Sequence, residues 1–361
     1  ARAQTSRKNQ GASMLTIDGS HGEGGGQILR TSLALSLATG KPFQIEHIRR
    51  GRTPPGLKNV HVAAVHAARA VGAAEVEGVA VGSSRLVFVP HGVRPGAYAF
   101  SIGSAGSTTL VLQTILPPLL VAEGPSRISV TGGTHNPAAP PFDFFSRTYL
   151  PCVRRMGPQV TATLGSYGFA PAGGGRAAMQ IIPAASLQGF ELLERGPLRR
   201  AAARAFVSRL PLSIAQRELS AVAAALEWDE QQLHAEHVPS PGPGNVLMIE
   251  LEFAAVTEII TAFGRRGTPA EQVAQEAIDE ARRFLSATAP VGTHLADQLV
   301  LLLALAGQGR FRTLEPSSHL RTNIDVIRMF LDVPVAVEQL DEQTWEVSVC
   351  RQSAMAPASP G

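Results

Sequence analysis

The chain has 361 residues, a net charge of +3, 44% hydrophobic and 17% charged residues. That is enough apolar material for a packed globule and excludes a disordered or fibrous chain, while the global charge does not by itself declare a nucleic-acid binder. No run approaches the ~18 apolar residues of a membrane helix, and two cysteines, Cys152 and Cys350, exclude a disulfide framework or a four-thiolate zinc site.

The cysteine usage and the lack of a secretory pattern predict a soluble protein in the reducing cytoplasm, not bound to a membrane. Residues 1–13 are basic without an apolar core and read as a disordered or processed tail or an expression scar; 351–361 read as a flexible C-terminal tail. From there one grammar recurs, in which glycine and small polar residues precede apolar residues at helical spacing. It appears in DGSHGEGGGQILRTSLALSLATG (18–40), with Leu29, Leu33 and Leu37 on one face. It returns in SIGSAGSTTLVLQTILPPLL (101–120) and in VGTHLADQLVLLLALAGQG (291–309), with Leu295, Leu299 and Leu302 or Leu303 in register. Strand-like runs lie between, at 43–48, 86–90, 127–131, 160–164 and 177–182. A second helix per unit is predicted at 59–71 and 143–156.

Gly19 and Gly103 are 84 residues apart, and Gly103 and Gly292 are 189 apart. A constant repeat leaves a surplus of 105 residues, the size of an inserted domain. Residues 186–286 change character accordingly. LRRAAARAFVSRLPLSIAQRELSAVAAALEW reads as a long helix interrupted by Pro211, and NVLMIELEF as a strand. TPAEQVAQEAIDEARRFLSA reads as a helix capped by Thr268, with Pro269 first and Glu271 third. The expected fold is α+β: a large domain of three repeated units (14–185 and 287–350), with a smaller α/β domain inserted at 186–286.

Several segments can carry chemistry. GEGGGQ (22–27) opens a helix and suits an anion, but lacks the Lys-Ser/Thr of a Walker loop. Glu23 inside it would repel phosphate unless a divalent cation stood between them; the plain alternative is a tight turn with an exposed acid. IRRGRTPPGLKN (48–59) sets arginines on a loop stiffened by proline, a pattern suited to phosphate oxygens. GGTHNPAAPPFDFF (132–145) could wall a base with Pro140, Pro141 and Phe142 or Phe144, or simply connect. His234 and His237, three apart on a predicted helix, lack a third zinc ligand. His294 and His319 are the candidate nucleophiles, the latter beside Ser317, Ser318 and Thr322.

Seven stretches in order resemble the RNA 3′-terminal phosphate cyclase family: DGSHGEGGGQILR, IRRGRTPPGL, IGSAGSTTLVLQT, GGTHNPAAPPFDF, PAGGG, HLADQLVLLLALAG and PSSHLRTNI. The resemblance runs from near residue 14 to about 333. It implies three units of two helices on a four-stranded sheet, as in enolpyruvyl transferases, and a smaller inserted domain. It implies ATP as co-substrate with Mg²⁺ or Mn²⁺, an RNA bearing a 3′-phosphate as partner, and a homodimer as one possible assembly. The implied reaction passes through a histidine–AMP and an RNA–adenylate to a 2′,3′-cyclic phosphate. Carried over, His319 is the nucleophile and Glu23 the metal carboxylate. Gln113, Pro141, His294, Leu295, Ala296, Asp297 and Gln298 fall at the ATP site; Arg30, Arg49, Arg52 and Gln27 fall around the phosphates or the RNA end. Arg50 is left outside. With no carboxylate in PSSHL, a hydroxyl or backbone carbonyl is expected to orient His319. The competing readings are a cyclase-like ribosome-biogenesis factor that binds RNA without catalysis, and an enolpyruvyl transferase. The first would lack the histidine; the second would need more lysines than Lys41 and Lys58 and two equal lobes.

Overall fold

A computed structural model describes residues 13–137 and 139–350; the predicted tails fall, almost wholly, outside them. Four four-stranded sheets carry the chain, and three share one topology.

In the first unit β1 (Leu15–Asp18) leads through α1 (Gly26–Thr39) to β2 (Phe43–Glu46), which lies parallel to it. Helix α2 (Asn59–Val71) then precedes β3 (Glu75–Glu77) and β4 (Leu86–Val89), added antiparallel in the order β1-β2-β4-β3. The second unit repeats this βαβαββ path. It runs β5 (Ala97–Ser101), α3 (Thr108–Leu119), β6 (Ser126–Gly132), a helical segment, β7 (Gln159–Ser166) and β8 (Gly175–Ile182), in the order β5-β6-β8-β7. That segment is α4 (Phe142–Phe144), a π turn over Phe145–Tyr149, and α5 (Leu150–Arg155).

The third unit begins with the two-residue strand β9 (Glu191–Leu192), but its first helix comes a hundred residues later. Between them lie β10 (Leu198–Ser208), α6 (Leu212–Leu226), β11 (Leu233–His237), β12 (Gly244–Phe253), β13 (Thr257–Phe263) and α7 (Ala270–Ser286), whose strands form a separate sheet in the order β11-β10-β12-β13. The unit then resumes with α8 (Thr293–Ala306), β14 (Gln308–Thr313), α9 (Ser318–Phe330), β15 (Val335–Gln339) and β16 (Trp345–Cys350). β14 lies parallel to β9 and antiparallel to β16. The excursion thus interrupts the third unit between its first strand and first helix.

The leucines at helical spacing do what their period predicts. Leu29, Leu33, Leu295, Leu299, Leu302 and Leu303 are fully buried where the helices of the units meet. The sheets pack outside them and show solvent their other faces, so β8 alternates buried and exposed residues.

Three local readings change. The stretch 198–208 is the central strand β10, not a helix: Ala202, Ala203, Ala205 and Phe206 are buried against β12 and the neighbouring layers. His234 and His237 lie on β11, so their spacing is not a helical one. Thr268 does not cap α7; Pro269 holds the N-cap position with extended ψ, and no side chain caps that end.

Candidate active site

The GEGGGQ loop is folded by what presses on it. Gly22 has φ +58°, and a Cβ there would stand 2.2 Å from the Thr322 hydroxyl; one at Gly26 would strike the His61 ring. Only glycine allows so close an approach at these positions. Thr322, on α9, accepts the Glu23 N–H at 3.0 Å and donates to the Ser318 carbonyl. The first turn of α9 is thereby fastened to the loop before α1, although nearly 300 residues separate them.

His319 lies in that first turn, behind the N-cap Ser317, whose hydroxyl accepts the Leu320 N–H at 2.9 Å. The same hydroxyl donates to Asp297 Oδ1 at 2.6 Å, and Asn323 joins Thr31 to the Asp297 carbonyl. Helices α1, α8 and α9 are therefore tied by one buried polar network. Burial pushes the Asp297 carboxyl up to about 7, with the Ser317 hydroxyl opposing and the Glu23 charge adding. Burial also holds the His319 imidazole below its usual value against the pull of Glu23, so its neutral form prevails at neutral pH.

Neither the hydroxyl nor the backbone carbonyl expected to orient His319 does so. Among the described residues no hydroxyl or carbonyl accepts from its Nδ1, which is enclosed without a hydrogen bond; Glu23 Oε2 stands 3.8 Å from it. The carboxylate was invisible in PSSHL because it comes from the other end of the chain. Glu23 is itself almost fully enclosed, with Oε2 paired to Arg52 Nη2 at 3.0 Å and Oε1 buried without a partner. Among the described residues, no cluster of three His, Cys, Asp or Glu side chains could hold a metal. One carboxylate with a spare oxygen nevertheless fits a hard cation whose other ligands are phosphate oxygens and water.

His319 faces a cavity of about 370 Å³. Gln27 and Arg30 of α1, Gln113 of α3, and His294, Asp297 and Gln298 of α8 all line it. Gln113 Nε2 donates to Gln298 Oε1 at 2.8 Å, and the His294 ring stands edge-on to Phe144. Burial lowers the Arg30 guanidinium to about 10, which leaves it charged at neutral pH.

Other predicted residues stand elsewhere. Leu295 and Ala296 point into the core. Arg49 is buried, and its Nη1 donates to the Pro54 and Gly56 carbonyls of its own loop. Arg52 reaches the site through Glu23, donating to both its carbonyl and its carboxylate. Pro141 is the N-cap residue of α4 and is not on the cavity wall; Pro137 and Pro140 are, while Phe142 and Phe144 are buried. No motif pointed to Thr261 and Phe263, which β13 of the inserted sheet adds to the wall. None pointed to His61 either, whose Nδ1 accepts the Lys58 N–H at 2.9 Å. Burial beside Arg30, Arg49 and Lys58 drives that imidazole down to about 3.

His319 and the half-buried Arg30 guanidinium thus share one cavity, with the Glu23 carboxylate beside His319. A family model described as RNA 3′-terminal phosphate cyclase matches residues 21–337. The chain belongs to the RNA 3′-terminal phosphate cyclase family. Curated relatives of that name include one from Ectopseudomonas mendocina, 48% identical over 90% of this chain and 96% of its own. One from Koribacter versatilis is 48% identical over 92% and 94%, and one from Salmonella agona 47% over 92% and 96%. Family membership makes the chain a ligase-type enzyme, and the α+β fold of repeated four-stranded sheets agrees with it. No helix of the described residues is long and apolar enough to cross a membrane.

Proposed function

We propose that the chain converts an RNA 3′-phosphate to a 2′,3′-cyclic phosphate at the expense of ATP, with His319 as nucleophile. The observation that carries this reading is the placement of His319: a ring kept neutral by burial, on the wall of a nucleotide-sized cavity, beside Glu23 and Arg30.

Nδ1 is enclosed toward Glu23, which leaves Nε2 as the attacking nitrogen. Nε2 bonds to the α-phosphorus of ATP as the bond to the bridging oxygen breaks, and pyrophosphate departs. Arg30 meets the charge that gathers on the phosphates. A divalent cation bound by Glu23 Oε1 would supply further charge neutralisation on the triphosphate. An oxygen of the RNA 3′-phosphate then takes the AMP from His319, restoring the imidazole. The adjacent 2′-oxygen finally attacks the 3′-phosphorus, loses its proton and expels AMP. Gln113, Gln298 and His294, with Pro140 and Phe263, form the surface that receives the nucleoside.

The test is adenylylation. With α-labelled ATP and Mg²⁺ or Mn²⁺, denatured wild-type protein should retain the label, His294→Ala should keep it in part, and His319→Ala should lose it. Wild-type protein that folds but takes no label with either metal would move the reading to a relative that binds RNA without catalysis.

A further inference from the structure

The inserted sheet holds a buried carboxyl that none of these steps uses. Glu258 of β13 is 4% exposed, and its Oε2 accepts the N–H of Gly292, the N-cap residue of α8, at 3.2 Å. That helix has no side-chain cap of its own. A Cβ at Gly292 would stand 2.7 Å from the Glu258 carboxyl carbon, so the glycine is what admits the carboxyl to the helix end. The first N–H groups of a helix lack intrahelical partners, and an acceptor from outside steadies the first turn. Here that turn carries His294, and the next carries Asp297 and Gln298, all three on the cavity wall. Along the same strand as Glu258, Thr261 and Phe263 form another part of that wall.

We propose that Glu258 is a positioning residue for the nucleotide: by capping α8 from the inserted sheet, it fixes His294, Asp297 and Gln298 relative to Thr261 and Phe263. The inference rests on the ATP reading above. The inserted unit is then part of the nucleotide site. Burial raises the Glu258 carboxyl to about 8, with the Gly292 N–H opposing, so glutamine closely copies its form at neutral pH.

Two measurements on the full chain test this. Calorimetric binding of α,β-methylene-ATP should weaken roughly 3- to 30-fold in Glu258→Ala, the span expected for a lost cap, and Glu258→Gln should return to within about twofold of wild type. Hydrogen exchange without nucleotide should quicken at the start of α8 in Glu258→Ala while α9 keeps its protection. Wild-type affinity in Glu258→Ala, a Gln variant as weak as Ala, or equal loosening of α9 would each overturn the proposal. If wild type binds no nucleotide at all, the ATP reading fails instead, and the exchange contrast alone decides whether Glu258 caps α8.

Discussion

β8 in the second repeated sheet alternates buried and exposed residues over Gly175–Ile182, whereas β12 in the inserted sheet buries every residue from Asn245 to Leu251. The two patterns reflect two environments. A repeated sheet has helices on one face and water on the other. The inserted sheet has α6 and α7 on one face, over Leu247, Ile249 and Leu251, and the large body on the other, against Phe206, Val246, Met248 and Ile259. Arg147 of the body adds an ion pair with the buried Glu250, which also holds Arg200. The insertion is therefore an internal layer, and strands buried on both faces lose the alternation that marks a half-buried strand.

The largest expected effect breaks this layer at its centre. The Phe206 ring lies 5.7 Å from Tyr167 and 6.4 Å from His135, across the contact between insertion and body. Phe206→Ala should cost about 3–5 kcal/mol, as buried phenylalanine truncations do. Urea unfolding should show the loss in one transition shared by both units. Two transitions, with the body's midpoint unmoved, would mean that the insertion is an appendage.

The same contrast explains what could be read from the chain. Leucines at helical spacing and half-buried strands announce themselves by period, and so did the repeat and its surplus. β10 did not: LRRAAARAFVS pairs alanine's helix propensity with burial on both faces, and tertiary pairing with β12 overrides it. β9 is two residues long and cut off from its helix by the insertion, so nothing local marks it as a strand of the third unit. In the site, His319, Glu23 and HLADQ could be named from motifs. The contacts of Glu23 with Thr322 and His319, and the wall lent by Thr261 and Phe263, come only from folding distant segments together.

A middle-sized effect compares buried acids in the two units. Asp297 in the body and Glu218 in the insertion are both raised to about 7 by burial. Glu218 holds Asn245 Nδ2 at 2.9 Å, while its Oε1 and Asn245 Oδ1 have no partner. A carboxyl raised on folding binds its proton more tightly in the native state, so stability is greatest below about pH 4 from this source and declines as pH rises toward 7. Glu218→Gln should remove about 1–3 kcal/mol of that decline, since each tenfold gain in proton affinity on folding is worth about 1.4 kcal/mol. An unchanged pH profile of the denaturation midpoint would show that Glu218 ionises freely in the folded chain.

The smallest effect contrasts arginines of the basic loop with arginines of the insertion. On the basic loop of the body, Arg52 touches Glu23 at the candidate phosphate site. On the insertion, Arg200 is already engaged by Glu250 and Glu252, Arg195 by the Phe284 and Leu285 carbonyls, and Arg209 by the Ser240 carbonyl. Arg52 gives Glu23 only its Nη2, whereas Arg200 is held by two carboxylates through two of its nitrogens, and a guanidinium neutralised twice over releases few counterions when RNA arrives. For a single-stranded RNA with a 3′-phosphate, Arg52→Gln should flatten the plot of log affinity against log salt by about 0.7, the value of one phosphate contact. Arg200→Gln should leave that slope unchanged. Equal flattening by the two variants would place RNA along β10, and the insertion would then be a nucleic-acid surface as well as a wall of the site.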